Sequence, residues 1–494
     1  MPAEVRTVGL LAGSGLLAAV VLWLAHRALI DDAYITLAYA KNLATDLHWG
    51  LTPQQVSNSA SSPANLLLLA AATAALRVTG GVHPVDALGA VSIGCALVMA
   101  WGWSRLVRAL GLSWVAAVLG IALVWLNPIV LSAIGLEVLL ISAVLVVLTV
   151  GAVERRPVLF GVAAGIALLV RIDLAVFVAL LALATPIVRR LLVAVPVAAG
   201  VALPYYAWSW WYFGSAIPDT FIIKTLQRSF GGVSYAGGPA GFYEQLPDVT
   251  AVAFLPPLAG VAALLCWAVL AVVRRSPRVL TLAPVAVLGV GGVAYFAAYS
   301  ALAVPPYHWY YVPPIAALVT FLAVAVGACL APDRSRAARW AMVPAAAVPV
   351  ALVVASVALV AGLGAPWRTT LVFGNQASAH DYAVVGTDLR SVEEPIQAFT
   401  EIGAPAYFCD CALVNDFTDR GVITPLVDRR LADAGFVTRK LLQANYLLLD
   451  RDQRPLPIAW ELRYTTDPAV VGTRVWRVYS SSGGVGYLAL TPAP

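Results

Sequence analysis

Long apolar runs separated by short polar segments make up the chain as far as residue 365. About eleven of these runs approach or exceed the roughly 20 residues that a helix needs to cross a membrane. They lie at residues 7–30, 84–104, 113–131, 135–152, 157–170, 172–187, 190–213, 250–273, 279–304, 308–331 and 340–365. The pattern predicts a polytopic α-helical membrane domain.

Basic residues are concentrated between some of these runs, at 104–108, 154–156, 189–190, 274–278 and 333–339. Because Lys and Arg are enriched in the cytoplasmic loops of membrane proteins, we place these clusters in the cytoplasm. The crossings from residue 84 onward then alternate without conflict. We therefore expect an inner-membrane protein with a cytoplasmic N-terminus and a polar C-terminal region outside the cytoplasm.

One further segment, 64–78, is apolar but short for a crossing. If it crossed the membrane, the early loops would invert and the basic cluster at 104–108 would lie outside. The sequence therefore favours a re-entrant or half-inserted helix here and about eleven transmembrane helices, with twelve as the alternative.

The composition changes after Trp367, where the chain becomes polar, mixed in charge and interrupted by short β-like runs such as YLLLD and RVWRVYS. A region of about 125 residues is large enough to bury a core of its own. We predict a transmembrane domain at 1–365, with a first outer loop at 31–62, and a small extracytoplasmic α/β domain at 366–494.

Composition supports the membrane class, since 61% of the 494 residues are hydrophobic and 12% are charged. The formal net charge of +5 is spread along the chain without a dense basic run, so nucleic acid is not an expected partner. Cys95, Cys266 and Cys329 lie in apolar runs, which is typical of core packing. Cys409 and Cys411 lie in the polar region, where their spacing would strain a mutual disulfide, and we leave them unassigned.

The predicted orientation brings most polar residues of the membrane domain to its outer face. Ionisable groups in membrane segments are costly, so they are usually paired and functional. The residues concerned are Asp31 and Asp32, the polar stretch 48–63, Glu137, Arg171 and Asp173, Lys224 within 211–225, and the segment 305–314.

Each feature also has a simpler interpretation. Arg171 and Asp173, two residues apart, are compatible with an ion pair that neutralises itself. Lys224 matches an ordinary juxtamembrane lysine, and the aromatic residues at 307–311 match an interfacial belt. Glu137 and the acidic pair are compatible with solvated turns. The functional hypothesis therefore depends on their shared location.

The chemistry of this set is specific when taken together. A carboxylate at the membrane surface can deprotonate an alcohol, and Lys, Arg and His side chains bind phosphate. A phosphate at this depth indicates a lipid-phosphate whose polyprenyl tail lies among the helices. Aromatic, Asn and Ser side chains bind sugars, and the residues we expect in this role are Asn58, Ser61, Ser62 and Tyr212. The set predicts glycosyl transfer from a lipid-phosphate carrier to a hydroxyl group.

Seven stretches in chain order resemble the GT-C glycosyltransferases, and in particular the branch of actinobacterial terminal arabinofuranosyltransferases, the AftB branch. They are DDAYITLAYAKNL, SNSASSPANLLLLA, AIGLEVLL, LLVRIDLAV, WYFGSAIPDTFIIK, HWYYVPP and EIGAPAYFCDCALVNDFTDRGVITP, and they cover residues 30–425. Two of them depart from the branch. RID stands where the family has RPD, and SNSASSP lacks the usual aromatic residue and threonine.

The resemblance implies an inverting transferase that uses a polyprenyl-phosphate sugar and requires neither a cofactor nor an obligatory metal. It implies that Asp31 or Asp32 is the general base, with Asp31 as our preference. It also implies a role for the other polar residues: donor phosphate and lipid binding for Lys224, Arg171, His308, Tyr310 and Tyr311, and sugar binding for Glu137 and Asp173.

The composition, rich in Ala, Val and Arg, suits an actinobacterium, so arabinofuranose is the first expectation for the sugar and a cell-envelope polysaccharide or glycolipid for the acceptor. A mannosyl or other hexosyl transferase is the alternative within the class. A lipid-linked sugar transporter is the alternative outside it, although its charges would lie nearer the midplane. Four aromatic residues of the C-terminal region are compatible either with sugar stacking or with a core role: Trp460, Tyr464, Trp476 and Tyr479.

Overall fold

The computed structural model describes residues 2–227, 229–331 and 343–494, with the side chains of the last range described from residue 346. The basic cluster at 333–339 and the start of the last apolar run, at 340, lie outside the described residues.

Helices dominate the chain as far as residue 361 and alternate with short strands after it. The α-helices are α1 (Ala3–Ala25), α2 (Asp31–Asp46), α3 (Pro63–Leu76), α4 (Pro84–Leu110), α5 (Val115–Trp125), α6 (Pro128–Ser132), α7 (Val138–Val153), α8 (Pro157–Val170), α9 (Ala175–Ala184), α10 (Leu191–Phe213), α11 (Thr220–Leu226), α12 (Gly238–Gln245), α13 (Pro247–Val273), α14 (Pro277–Leu280), α15 (Ala283–Leu302), α16 (Val312–Cys329), α17 (Val343–Ala361), α18 (Ala379–Leu389), α19 (Gly403–Cys409), α20 (Ile423–Asp433) and α21 (Phe436–Asn445). The strands are β1 (Ile396–Gln397), β2 (Leu413–Val414), β3 (Trp460–Thr465), β4 (Arg474–Ser480) and β5 (Gly484–Pro492).

The predicted membrane architecture is confirmed. Within the described residues, six helical segments are long and apolar enough to cross a membrane, and six more are shorter and apolar. Each predicted run corresponds to one of these segments, and the remaining short one, Pro63–Thr79, is the segment predicted as half-inserted. The apolar runs 113–131 and 172–187 are longer than the helical segments that they contain, Val115–Trp125 and Ile172–Ala184. Each helix ends at a turn or bend before its apolar run does.

Small residues allow the membrane helices to approach closely. Gly161 and Gly165, four residues apart on α8, face α10 so tightly that an added Cβ would lie 2.6 Å from the Ala194 carbonyl oxygen and 2.7 Å from that of Ala198, respectively. Such spacing brings helix backbones together where lipid supplies no hydrophobic driving force. Packing of this kind holds the helix bundle together.

The C-terminal region forms the predicted small α/β domain, with a five-stranded mixed sheet in the order β2-β1-β3-β5-β4. Strand β1 is parallel to both β2 and β3, whereas β5 is antiparallel to β3 and β4. Apolar side chains of β5, such as Leu488 and Leu490, are buried in the core. The predicted boundary at 365/366 falls between α17 and α18.

Several bonds join this domain to the membrane helices. The Trp367 N–H donates to the Leu24 carbonyl at 2.8 Å, and the Val372 N–H donates to Ser132 Oγ at 2.9 Å. Asn375 binds the first connection, the segment 26–30 between α1 and α2, and the start of α2: it donates to the Leu29 carbonyl and accepts from the Asp31 N–H. The buried core is continuous across the two parts.

Helix α2 runs against α19. Tyr34 packs on Tyr407 with a ring-centroid separation of 5.2 Å, and Lys41 Nζ lies 2.5 Å from an Asp410 oxygen. At the start of α19, a Cβ added to Gly403 would lie 2.0 Å from the Asp31 carbonyl oxygen and 2.8 Å from the Ile35 nitrogen. The contact is therefore one of backbone against backbone.

We expect Gly403→Ala to destabilise the protein by about 1–3 kcal/mol, because the added methyl group must push two backbones apart. Thermal unfolding of the purified protein in detergent measures the effect. Gly435→Ala is the matched control, since a Cβ there meets nothing within 4 Å. Equal melting temperatures for the two variants would contradict the close approach of α2 and α19.

Candidate active site

The two adjacent carboxylates at the start of α2 have different environments. Asp31 is buried, and its carboxylate accepts backbone N–H groups from Ile402, Gly403 and Ala404 at 3.0, 3.0 and 2.7 Å. The side chain of Asp32 is 33% exposed. Consecutive helical residues point about 100° apart, so one carboxylate faces α19 and the other does not.

A cavity of about 530 Å³ opens beside this pair. Its walls come from the end of the first connection, the segment 230–245, the segment 306–309 and the C-terminal domain. The lining residues are Ile30, Asp31, Asp32, Phe230, Val233, Gly238, Gly241, Phe242, Gln245, Pro306, Tyr307, His308, Trp309, Phe373, Gly374, Asn375, Thr400 and Glu401.

Lys224, on α11, is the cation next to the exposed carboxylate. Its Nζ lies 3.6 Å from an Asp32 oxygen, and the side chain is only 14% exposed. Three aromatic rings surround the ammonium group, with centroids at 4.2 Å (Tyr307), 5.3 Å (Trp309) and 5.8 Å (Tyr310). The rings stabilise a cation by their quadrupoles while leaving its hydrogen-bond donors available.

Arg171 forms a separate ionic cluster with two predicted sugar-site residues. Its guanidinium donates to Glu137 at 2.8 Å and to Asp173 at 2.6 Å. The hydroxyls of Tyr295 and Tyr299 also donate to Asp173. This geometry agrees with the simpler interpretation that Arg171 and Asp173 neutralise each other, and Glu137 is a third member of the cluster.

The HWYY segment has mixed roles. The Tyr310 ring lies 4.9 Å from the Arg171 guanidinium carbon as well as near Lys224, so it links the two cations. His308 is buried and lines the cavity, and its Nε2 has no hydrogen-bond partner among the described residues. Tyr311 instead packs in the core, where its ring stacks on Tyr235 at 4.3 Å and its hydroxyl donates to the Tyr235 carbonyl.

The four residues expected to bind sugar through the first outer loop and α10 are not among those that line the cavity. Asn58 is buried and donates to Ser215 Oγ at 3.0 Å, which holds the loop before α11. Ser62 is buried at the start of α3, Ser61 is exposed, and the exposed Tyr212 stacks on Trp208.

Glu401 was not anticipated. It reaches the cavity from the C-terminal domain, where its carboxylate accepts the Gln376 N–H at 2.9 Å and the Tyr382 hydroxyl. It belongs to the EIGAP stretch, and 370 residues of chain separate it from Asp31. The sequence carries no sign that the next residue, Ile402, donates its N–H to the Asp31 carboxylate.

Burial raises the pKa values of Asp31 and Glu401, and the charge of a neighbouring carboxylate raises each of them further. The pKa of Asp31 rises to about 7, because burial outweighs the stabilising effect of the N–H donors and the charge of Asp32 adds to it. The pKa of Glu401 rises to about 8 through burial and the charge of Asp31. Because Asp31 accepts three N–H groups, the proton that the pair retains near neutral pH resides on Glu401.

The remaining features of the C-terminal domain are structural. Cys409 and Cys411 form a disulfide at the end of α19. Trp460, Tyr464 and Trp476 pack against the core, which favours the core interpretation, whereas Tyr479 is exposed. Within the described ranges, no group of three His, Cys, Asp or Glu side chains is placed to hold a metal ion.

The raised pKa of Glu401 predicts that the stability of the protein depends on pH. The pKa of Glu401 is about 8 in the folded chain against an ordinary value of 4.5, so the folded state keeps a proton that the unfolded state loses between these values. The free energy of unfolding must therefore decrease as the pH rises from about 4.5 to 8. We expect Glu401→Gln to flatten this decrease in melting-temperature profiles recorded from pH 5 to 9. The exposed Glu393→Gln is the control, and parallel profiles for both variants would refute the assignment.

Arg171→Ala tests whether the second cluster is structural. Removing the guanidinium leaves two carboxylates without their cation, so we expect a loss of about 3 kcal/mol or more in unfolding free energy. Arg429→Ala, at an exposed position of α20, should leave the stability unchanged. An unchanged unfolding free energy of Arg171→Ala would contradict a structural role for this cluster.

Comparison with known proteins gives similarity at the level of structure. No family model matches the chain, and no curated protein matches it. ArnT from Cupriavidus metallidurans bound to undecaprenyl phosphate superposes with a TM-score of 0.56 at 14% identity, covering 97% of both chains. The apo form of that protein gives a TM-score of 0.58, covering 99% of this chain and 98% of ArnT.

Two other solved structures are similar. The oligosaccharyltransferase of Archaeoglobus fulgidus, tethered to an acceptor peptide, gives a TM-score of 0.56 at 12% identity, covering 92% of this chain and 69% of its own. The arabinofuranosyltransferase AftD from Mycobacteria gives 0.50 at 16% identity, covering 97% and 40%. The narrower resemblance to the AftB branch stays a prediction. At these identities the likeness establishes the fold, so the chain is an integral membrane protein with the GT-C fold of these glycosyltransferases.

Proposed function

We propose that the protein is a membrane glycosyltransferase that moves a sugar from a polyprenyl-phosphate carrier to a hydroxyl group of an acceptor glycan. The observation that carries this proposal is Asp32, which lines a cavity of about 530 Å³ and pairs with Lys224, a residue outside the cavity lining. A partly exposed carboxylate and a neighbouring cation are the two groups that such a displacement requires.

Lys224 is proposed to bind the donor phosphate. Its aromatic surroundings keep the ammonium group in place without occupying all of its donors, and Asp32 is its ionic partner in the free protein. A lipid-phosphate brings a negative charge that competes for this cation. Support comes from the ArnT structure, which has the same fold and was determined with undecaprenyl phosphate bound.

Asp32 is proposed as the general base, which reverses our preference between the two acids. Asp31 has three N–H donors on its carboxylate and is buried, so it is poorly placed to take a proton from an acceptor. Asp32 is the more exposed acid and lies beside Lys224, the residue proposed to bind the phosphate.

The reaction follows from these positions. The acceptor hydroxyl loses its proton to Asp32 as its oxygen forms a bond to the anomeric carbon of the sugar. The bond from that carbon to the phosphate oxygen breaks, and the phosphate leaves with the electron pair. Lys224 stabilises the negative charge that develops on the leaving group. A single displacement of this kind inverts the anomeric configuration.

The sugar is proposed to be arabinofuranose and the acceptor a cell-envelope polysaccharide or glycolipid outside the inner membrane. The proposal rests on the ordered stretches that resemble the arabinofuranosyltransferase branch and on the shared fold with AftD. A polyprenyl-phosphate mannose or another hexose donor is the competing possibility within the same mechanism.

The test is a transfer assay with purified protein in lipid nanodiscs, supplied with decaprenyl-phosphate arabinose or decaprenyl-phosphate mannose and a short arabinan or mannan acceptor. We expect transfer from one donor, and Asp32→Asn should reduce its rate by about 100-fold or more, because loss of a general base typically has that effect. Lys224→Gln should raise the donor KM and lower kcat.

Asp46→Asn is the control, since this exposed acid lies at the other end of α2. Asp31→Asn should lower the melting temperature, because an amide replaces a carboxylate among three N–H donors. Retention of full activity by Asp32→Asn would exclude the proposed base. Binding of a lipid-linked sugar without transfer to any acceptor would favour a transporter.

A further inference from the structure

An apolar surface of the C-terminal domain has no partner within the described residues. Helix α21 buries Leu442, but Phe436, Val437 and Leu441 are 77%, 68% and 67% exposed. Val437, Leu441 and Ala444 follow one another at helical spacing, so they form one stripe. Leu442 lies on the side away from this stripe. A contiguous apolar stripe on a surface that faces water usually marks a site of contact with a protein or a membrane.

The position of this helix indicates what covers it. Asn445 accepts the Ile217 N–H at 2.8 Å, which ties the end of α21 to the loop that follows α10. A Cβ added to Gly214, at the end of α10, would lie 2.3 Å from the Leu448 carbonyl oxygen. The end of α21 therefore lies directly on the end of a helix that crosses the membrane.

The surface of α10 at this end is also apolar and exposed. Trp211 and Tyr212 are 76% and 48% exposed there, and Leu447 and Leu448, just beyond α21, are also exposed. Exposed apolar side chains therefore lie on both sides of the contact between the end of α21 and the end of α10, and aromatic residues at the end of a membrane helix are typical of the lipid–water interface. Arg439 and Lys440 are exposed on α21 outside this stripe, an arrangement typical of interfacial helices, whose cationic side chains contact phospholipid head groups.

We propose that α21 is an interfacial helix, and that its Val437, Leu441 and Ala444 stripe is embedded in the outer leaflet of the bilayer that the chain spans. The proposal is independent of the proposed transfer activity. It assigns the C-terminal domain a second attachment, to lipid, beside its attachment to the membrane helices through Asp31.

The attachment bears on the site because of what α21 packs against. Leu442 and Tyr446 share a small buried cluster with Ile222 and Ile223 of α11. Lys224 is the next residue along α11. An α21 fixed at the membrane surface therefore fixes the height of Lys224 relative to the lipid, where a lipid-borne phosphate is found.

Spin labelling of the full-length protein in liposomes tests this. Single cysteines replace Val437, Leu441 or Gln443 in a background where Cys95, Cys266 and Cys329 are changed to Ala and the Cys409–Cys411 disulfide is kept. Gln443 is the matched control, because it is exposed on a different face of the same helix. Val471→Cys, in the exposed β3–β4 connection, adds a control away from α21.

We expect labels at positions 437 and 441 to collide with dissolved oxygen at least threefold more often, relative to a water-soluble nickel reagent, than labels at 443 and 471. Equal water accessibility at all four positions would overturn the proposal. Labels at 437 and 441 that are shielded from both reagents would also overturn it, since they would show a protein partner or a second copy on the stripe. All positions are on the surface, and gel filtration of each variant before reconstitution verifies its fold.

Discussion

The arrangement of the site depends on the carboxylate of Asp31. It accepts three backbone N–H groups where α19 begins, and these are donors that the helix itself cannot satisfy. Hydrogen bonds to a charged acceptor are each worth about 1.5–3 kcal/mol, so this one side chain is a strong link between the first connection and the C-terminal domain. Gly403 makes the link possible, because any Cβ there would collide with the Asp31 backbone.

A second contact of the C-terminal domain positions α11. Arg420 of the C-terminal domain lies 3.5 Å from Asp219, directly before α11, and α20 packs on α11 through Ile423 and Val427. The C-terminal domain thus holds α2 through three backbone N–H donors, and it holds α11 through an ion pair and an apolar cluster. Since Asp32 lies on α2 and Lys224 on α11, their separation of 3.6 Å is set by a domain that carries neither residue.

Sequence patterns predict the membrane helices and the small α/β domain, because both rest on local information. Spanning length, basic loops and a change of composition are properties of contiguous segments. The roles within the site were harder to predict. The sequence predicts that Arg171 binds the donor phosphate, whereas in the structure its guanidinium donates to Glu137 and Asp173. Tyr311 was assigned to the pocket, yet it packs on Tyr235. Side-chain direction and partners distant along the chain decide such roles, and a single sequence contains neither.

The two adjacent acids at the start of α2 have different roles. One carboxylate at position 31 would hold α19 but would be buried and occupied by N–H donors. One carboxylate at position 32 would face Lys224 but would leave the start of α19 without its acceptor. Two consecutive residues point in directions about 100° apart, so the pair serves both needs from one helical turn. The same bonds that occupy Asp31 also fix the backbone of its neighbour, and the position of Asp32 is therefore as well defined as the domain contact itself.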